Sequence, residues 1–186
     1  LSIGWRFSAQ TRGVGGLSLA IGIAVVHALR AAGIDGVGLK WPNDILRNHG
    51  KLGGILIELT AVRRGEIKVV VGIGINLYLD ATDAVHIGQA ASVAGVSLSR
   101  NQLAAGLINH VLAELSLFET QGFSPYQNQW QAYDVYADQP VVLTLVDRTI
   151  HGINRGVDGG GNLRLETGDG MLTFNAGEVS FRPVAD

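Results

Sequence analysis

Cysteine is absent from the 186 residues, which excludes disulfides and thiolate metal sites and fits a cytoplasmic protein. Charge is scarce and balanced: 16% of residues are charged and the formal net charge is −2, so there is no electrostatic footprint for nucleic acid and no DNA contact is expected from this segment. Long apolar runs are missing too. The longest candidate, Leu17–Ala32, is interrupted by Gly22, His27 and Arg30, so no membrane span is expected. No stretch has the form of a signal peptide. The histidines (His27, His49, His86, His110, His151) are dispersed without ligand spacing, which argues against a metal-binding cluster. There is no Walker lysine pattern and no Ser or His in a nucleophile elbow. What remains is a 47% hydrophobic, globular chain, long enough for one good core and a small second module.

Its polar chemistry is concentrated in one stretch, Lys40-Trp41-Pro42-Asn43-Asp44-Ile45-Leu46, continued by Lys51-Leu52-Gly53-Gly54-Ile55-Leu56-Ile57-Glu58-Leu59. Pro42 fixes its own φ and removes a donor, so Trp41-Pro42 is extended or turning. Asn43 and Asp44 then leave a strand end with free side chains. Asn48, His49 and Gly50 supply turn chemistry, and Lys51 opens the next strand. Such a hairpin brings Asp44 and Lys51 to one end of a sheet. The pair Gly53-Gly54 lets a ligand approach the backbone closely.

The rest of the chain supplies a frame. Leu1–Phe7 reads as a strand from the first residue, so the expectation is a fragment lacking its natural N-terminal part. After a loop over Ala9–Gly16, the positions Leu17, Ala20, Ile21, Ala24, Val25, Ala28 and Leu29 make a helical stripe stopped by Gly33. Val37–Trp41 and Lys51–Leu59 are strands, Val62–Glu66 is a charged turn, and Ile67–Ile75 is a buried strand. A helical turn is expected around Gly88–Val93. Ser99 with Gln102 has the form of a capping box opening a long helix closed near Gly122, and Pro125–Tyr133 is a short helix. From Pro140 only short strands follow: Val141–Val146, Thr149–Val157, Asn162–Glu166, Met171–Asn175 and Val179–Arg182. They predict a small antiparallel barrel.

Gly72-Ile73-Gly74-Ile75-Asn76 lacks the third glycine and the following helix of a dinucleotide fingerprint, and reads as a tightly packed strand. Asn76, at its polar end, could read a base edge or orient a phosphate. Lys40 and Lys51 admit a plain reading as solvated strand ends, although the glycine and apolar flanks of Lys51 argue against it. A lysine and a carboxylate together suit the joining of a carboxylic acid to ATP. The lysine neutralises the repulsion between carboxylate and α-phosphate. Asp44 could hold the lysine, hold Mg²⁺, or take a proton from an attacking amine.

These three stretches, KWPND, KLGGILIE and GIGIN, resemble the biotin–protein ligases. The likeness runs through the helices at Leu17 and Ser99 to Gly152–Asp158 and Gly177–Arg182. The resemblance implies an α/β (α+β) fold: a class II synthetase-like mixed sheet with helices over residues 1–137, and a small SH3-like barrel over 138–186. It implies ATP-dependent formation of biotinyl-5′-AMP and transfer of biotin to a lysine of a biotin carboxyl carrier protein, with biotin, ATP and Mg²⁺ involved and a homodimer as a further expectation. By motif position, Lys51 would contact the biotin carboxylate and the adenylate phosphate. Asp44 and Asn43 would line the adenylate and metal region, with Lys40 among the binding residues. Asn76 would lie near the adenine or phosphates, Trp41, Gly54 and Gly74 would form the pocket floor, and Arg182 would reach toward the nucleotide. The family's GRGRRG loop, and the Ser/Thr and Gln that bind the biotin ring, do not occur in these residues, which implies impaired activity of the segment by itself. Two other readings stand beside this one: a lipoate-type acyl ligase, and a non-catalytic biotin-sensing or dimerisation half of a bifunctional repressor.

Overall fold

The computed structural model describes residues 1–8, 11, 13–63, 66–77, 99–145, 147–176 and 180–183. Two five-stranded sheets organise them. The first contains β1 (Ser2–Phe7), β2 (Val37–Lys40), β3 (Asp44–Arg47), β4 (Gly50–Arg63) and β5 (Glu66–Ile75), in the spatial order β1-β5-β4-β3-β2. Every strand pair in it is antiparallel. The parallel component of the expected mixed sheet is confined, among the described residues, to one bridge from Leu39 to Asp134 at the β2 edge.

Alternation along the strands decides which face is covered. Phe7, Ile55, Val69, Val71 and Ile73 are buried, while Ser2, Leu56 and Gly74 on the opposite face are exposed. The apolar face lies under α1 (Leu17–Ala31) and α2 (Arg100–Gln121), which also pack on each other. Eleven residues of α1 are buried, more than a single apolar stripe would give, because the helix is sandwiched between sheet and α2. Gly33, at φ 79°, ends the α1 segment as its sequence position suggests. Ser99 does stand at the N-cap of α2, but its side chain makes no capping hydrogen bond, so the expected capping box is not formed. A 3₁₀ turn over Ser124–Tyr126 leads into α3 (Gln127–Tyr133).

The second sheet holds β6 (Pro140–Thr144), β7 (Thr149–Val157), β8 (Leu163–Thr167), β9 (Gly170–Phe174) and β10 (Ser180–Pro183), ordered β10-β6-β7-β8-β9 and antiparallel throughout. No pairing of β9 with β10 closes it among the described residues. The helical turn expected at Gly88–Val93 and residues 64 and 65 of the charged turn lie outside the described residues. Among those described, no helix is long and apolar enough to cross a membrane.

Candidate active site on the open sheet face

The uncovered face of the first sheet carries a row of residues that are partners across four strands. Lys40 pairs with Asp44, Asp44 with Gly54, and Gly54 with Gly74. A parallel row runs Leu56, Gly72, Ser2. The glycines leave bare backbone beside the charged groups. A Cβ on Gly74 would meet nothing within 4 Å, and one on Gly54 would find only ordinary contacts with Asn43 O, Lys51 Cε and Asp44 Oδ1. Gly53 points the other way and has a different job. A Cβ there would collide with the Gly74 carbonyl oxygen, so only glycine lets β4 and β5 approach at this level. The result is an open cleft of about 440 Å³, walled by Asn43, Asp44 and Lys51 at one end and Leu1, Ser2 and Leu56 at the other.

Asp44 is the hub of the polar end. Its Oδ1 lies 2.6 Å from Lys51 Nζ and its Oδ2 3.0 Å from Lys40 Nζ. Burial raises the carboxyl's pKa, but the hydrogen bonds and charges of Lys51 and Lys40 outweigh it and hold Asp44 below the ordinary carboxylate range. Lys51 is 44% exposed against 19% for Lys40. An ammonium has three donors. Lys51, more open and bordering the cleft, is the one able to offer the rest to a ligand.

The route by which Lys51 arrives differs from the sequence expectation. Asp44 opens β3, whereas Lys51 faces Leu46 near the Asn48-His49 turn, where both turn residues have positive φ. The two are not at the same end of the hairpin. The register shifts between Ile45 and Leu46, with Leu52 as the extra residue on β4, and the long lysine side chain spans back along the strand.

The turn before Asp44 is held on several sides. Trp41-Pro42 is a cis peptide. Asn43 is clamped to β4: its Nδ2 donates to Ile55 O at 2.9 Å and its carbonyl accepts from Ile55 N at 2.9 Å. One of its amide N–H donors is thereby tied to β4, while Asn43 still borders the cleft. Ser18, in the first turn of α1, donates its hydroxyl to Pro42 O at 3.3 Å. Asn76 donates its backbone N–H to Leu52 O at 2.8 Å, and its Nδ2 lies 3.5 Å from Lys51 O, so it supports the lysine's strand and is not on the cleft wall.

Trp41 is not part of the floor of this cleft. It is fully buried, with its indole N–H donating to Gly161 O in the turn between β7 and β8 and its ring edge-on to Phe181 of β10. It borders instead a second, more apolar cleft of about 280 Å³ with Pro42, Leu59 and Asn175. Arg182 is placed only by its backbone, on β10 opposite Val142. Both oxygens of Asp44 are engaged by ammonium groups, and among the described residues no cluster of three His, Asp or Glu could hold a cation. The residues around Asp44 therefore do not fit a protein-built Mg²⁺ site.

Sequence reasoning missed the groups that join the two sheets. Asp134 is buried; its Oδ1 accepts from Tyr136 N at 3.0 Å and its Oδ2 from Asn154 Nδ2 at 2.7 Å. Asn154, wholly buried, also donates to Tyr136 O and accepts from Gly156 N. Burial pushes the Asp134 carboxyl up to about 6 despite those bonds. Burial, then the charges of Asp44 and Asp134, also push the Tyr136 phenol up. No local pattern signals this network, because its members lie on different elements.

Comparison with known proteins gives matches in both parts of the chain. Residues 6–76 match the biotin/lipoate A/B protein ligase family, and residues 137–182 match the biotin protein ligase C-terminal domain. The chain is 33% identical over 183 residues to the biotin–[acetyl-CoA-carboxylase] ligase of Paracoccus denitrificans, covering 94% of this chain and 73% of that protein. It is 41% identical over 185 residues to the bifunctional ligase/repressor BirA of Salmonella typhimurium; there it covers 98% of this chain but spans only 58% of that relative's length. The fold is shared with the biotin protein ligase of Aquifex aeolicus solved in complex with biotin and ATP, at a TM-score of 0.80 and 24% identity over 98% of this chain and 78% of that one.

Proposed function

The chain belongs to the biotin protein ligase family, and on that premise we propose that it forms biotinyl-5′-AMP from biotin and ATP and passes the biotinyl group to a lysine of a biotin carboxyl carrier protein. In the first step a carboxylate oxygen of biotin bonds to the α-phosphorus of ATP and pyrophosphate leaves. In the second the carrier's amine bonds to the acyl carbon, AMP leaves, and the amine gives up a proton.

One observation carries the reading: a half-exposed ammonium, Lys51, fixed at 2.6 Å on Asp44 beside the bare glycine floor. Two anions must be brought together, and a fixed positive charge between them lowers the repulsion and stabilises the charge that builds up at the phosphorus. The low pKa of Asp44 makes it a poor base, so of its three candidate roles holding the two lysines is the best supported. Mg²⁺ would come with the nucleotide phosphates, since both Asp44 oxygens are already engaged by ammonium groups.

Residues 1–137 form the catalytic part in this reading and 138–186 the C-terminal domain. The match to the biotin ligase C-terminal domain favours biotin over lipoate as the acid. The ligase of Paracoccus denitrificans, of which this chain covers most, favours catalysis over a purely sensing role. A homodimer joined sheet edge to sheet edge completes the proposal.

The test is biotin-dependent exchange of labelled pyrophosphate into ATP. Exchange with biotin and none with lipoate is expected of the full-length protein. Absence of exchange with either acid would leave the binding-module reading in its place.

A further inference from the structure

The second sheet meets Trp41 through the turn between β7 and β8 and through Phe181 of β10. Between β7 and β8, Asp158 Oδ1 accepts from Gly160 N and Asn162 N, each at 2.9 Å, and closes the turn Asp158–Asn162. Gly161, at φ 82°, sits against the loop that enters α1: a Cβ on it would lie 2.6 Å from Gly16 Cα. Its carbonyl accepts the buried Trp41 indole N–H at 3.2 Å. Trp41 directly follows Lys40 and stands three residues before Asp44, and those two are cross-strand partners. The turn that carries both charges is thus gripped between Ser18 of α1 and Gly161 of the β7–β8 turn.

Packing alone would need only an aromatic ring at position 41. A buried indole N–H needs an acceptor as well, and that requirement fixes the ring's orientation against the hairpin. Movement of the hairpin therefore moves Trp41, and with it the strand ends bearing Lys40 and Asp44. We propose that the Asp158–Asn162 hairpin is a positioning element of the active site, acting through the Trp41 indole on the Lys40–Asp44 pair. The inference rests on the ligase reading above. Gly161 borders the second cleft beside Trp41 and Pro42, whereas Asp158 borders neither cleft, so an effect of Asp158 on the reaction must be transmitted.

The test uses the full-length protein and the variants Asp158→Ala, Asp158→Asn and Trp41→Phe. Two quantities are read: the maximal rate and KM values of biotin-dependent pyrophosphate–ATP exchange, and hydrogen exchange at the Trp41 indole N–H by NMR. Asp158→Ala should lower the maximal rate about tenfold, as a small misplacement of reacting groups does, with KM for biotin and ATP within about twofold. The indole N–H should exchange faster in that variant. Asp158→Asn keeps an Oδ1 acceptor and should restore both readouts. Trp41→Phe should match Asp158→Ala in rate, and the double variant should be no slower than either single one. An unchanged maximal rate in Asp158→Ala, no rescue by Asp158→Asn, or effects that multiply in the double variant would each overturn the proposal. If the parent shows no exchange of pyrophosphate, the ligase reading fails, and indole exchange then decides: unaltered in Asp158→Ala, it removes the coupling as well; accelerated and restored by Asp158→Asn, it upholds it.

Discussion

Lys51 and Asp44 meet at 2.6 Å although they are not partners across the hairpin; Lys51 faces Leu46, and Asp44 faces Gly54. The ion pair therefore depends on the length of the lysine and on the register shift at Leu52. It leaves the ammonium against a wall of glycine backbone, where a carboxylate or phosphate can approach it.

Removal of that ammonium should cost adenylation directly. Lys51→Ala is expected to raise the barrier by about 3 kcal/mol, a rate loss of about a hundredfold, as for one lost transition-state donor. Asp44→Asn keeps the shape but removes the charge that holds both lysines, so it too should slow the reaction. Because the two residues act as one unit, the double variant should be slower than the worse single variant by less than the product of the separate losses. Single-turnover formation of biotinyl-5′-AMP is the measurement, and an unchanged rate in Lys51→Ala would reduce the residue to a strand end.

Adjacent glycines should respond in opposite ways. Gly53→Ala drives a Cβ into the Gly74 carbonyl, a backbone atom that cannot step aside, and should destabilise the fold by at least about 2 kcal/mol. Gly54→Ala meets nothing closer than 3.7 Å, so thermal stability should hold while its methyl narrows the cleft and weakens ligand binding. Thermal unfolding with and without biotin plus ATP separates the two. Equal loss of stability in both variants would contradict the assignment of faces.

Asp134 should make stability depend on pH. The folded carboxyl keeps its proton to about 6 against an ordinary 3.8, so between those values the folded state binds more protons than the unfolded chain. Its contribution is fully present below about pH 3.8 and is lost as pH rises through 6, on the order of 3 kcal/mol in all. Asp134→Asn cannot titrate and should flatten this part of the curve. Its amide nitrogen cannot accept a hydrogen bond, as the hydroxyl oxygen of the protonated carboxyl still can, so the variant should start less stable at low pH. Chemical denaturation across pH 4–8, over which about 2 kcal/mol of that contribution should be lost in the parent, checks both features. A parent curve already flat in that range would refute the role given to Asp134.

Association should be visible in sedimentation. In the edge-to-edge dimer proposed above, biotin with ATP should shift the protein toward the associated state. Monomer alone, with and without the ligands, would count against the edge-to-edge arrangement.

Much of the frame was legible in the residues. The α1 stripe and Gly33 told where a helix runs and stops, and Asn48-His49 announced the turn before Lys51; the apolar run Ile67–Ile75 read as a buried strand, whereas in β5 buried residues alternate with open ones and Gly74 is exposed. The short C-terminal strands appear within a residue or two of their expected places. These are local facts: a period of two or 3.6, a turn residue, a helix stop. The motif KWPND with KLGGIL likewise placed the charged groups beside a glycine strip, because strand pairing follows once the hairpin is known. Three-dimensional structure decided what depends on distant chain segments. It set the register shift that lets Lys51 reach Asp44 and turned Trp41 from pocket floor into a link to Gly161, 120 positions away in sequence. It also tied one Asn43 amide donor to Ile55 O and buried Asp134 against Asn154. In each case the same side chain could have served in solvent, at a ligand or in the core; the partner, brought in by folding of another segment, selected among those roles.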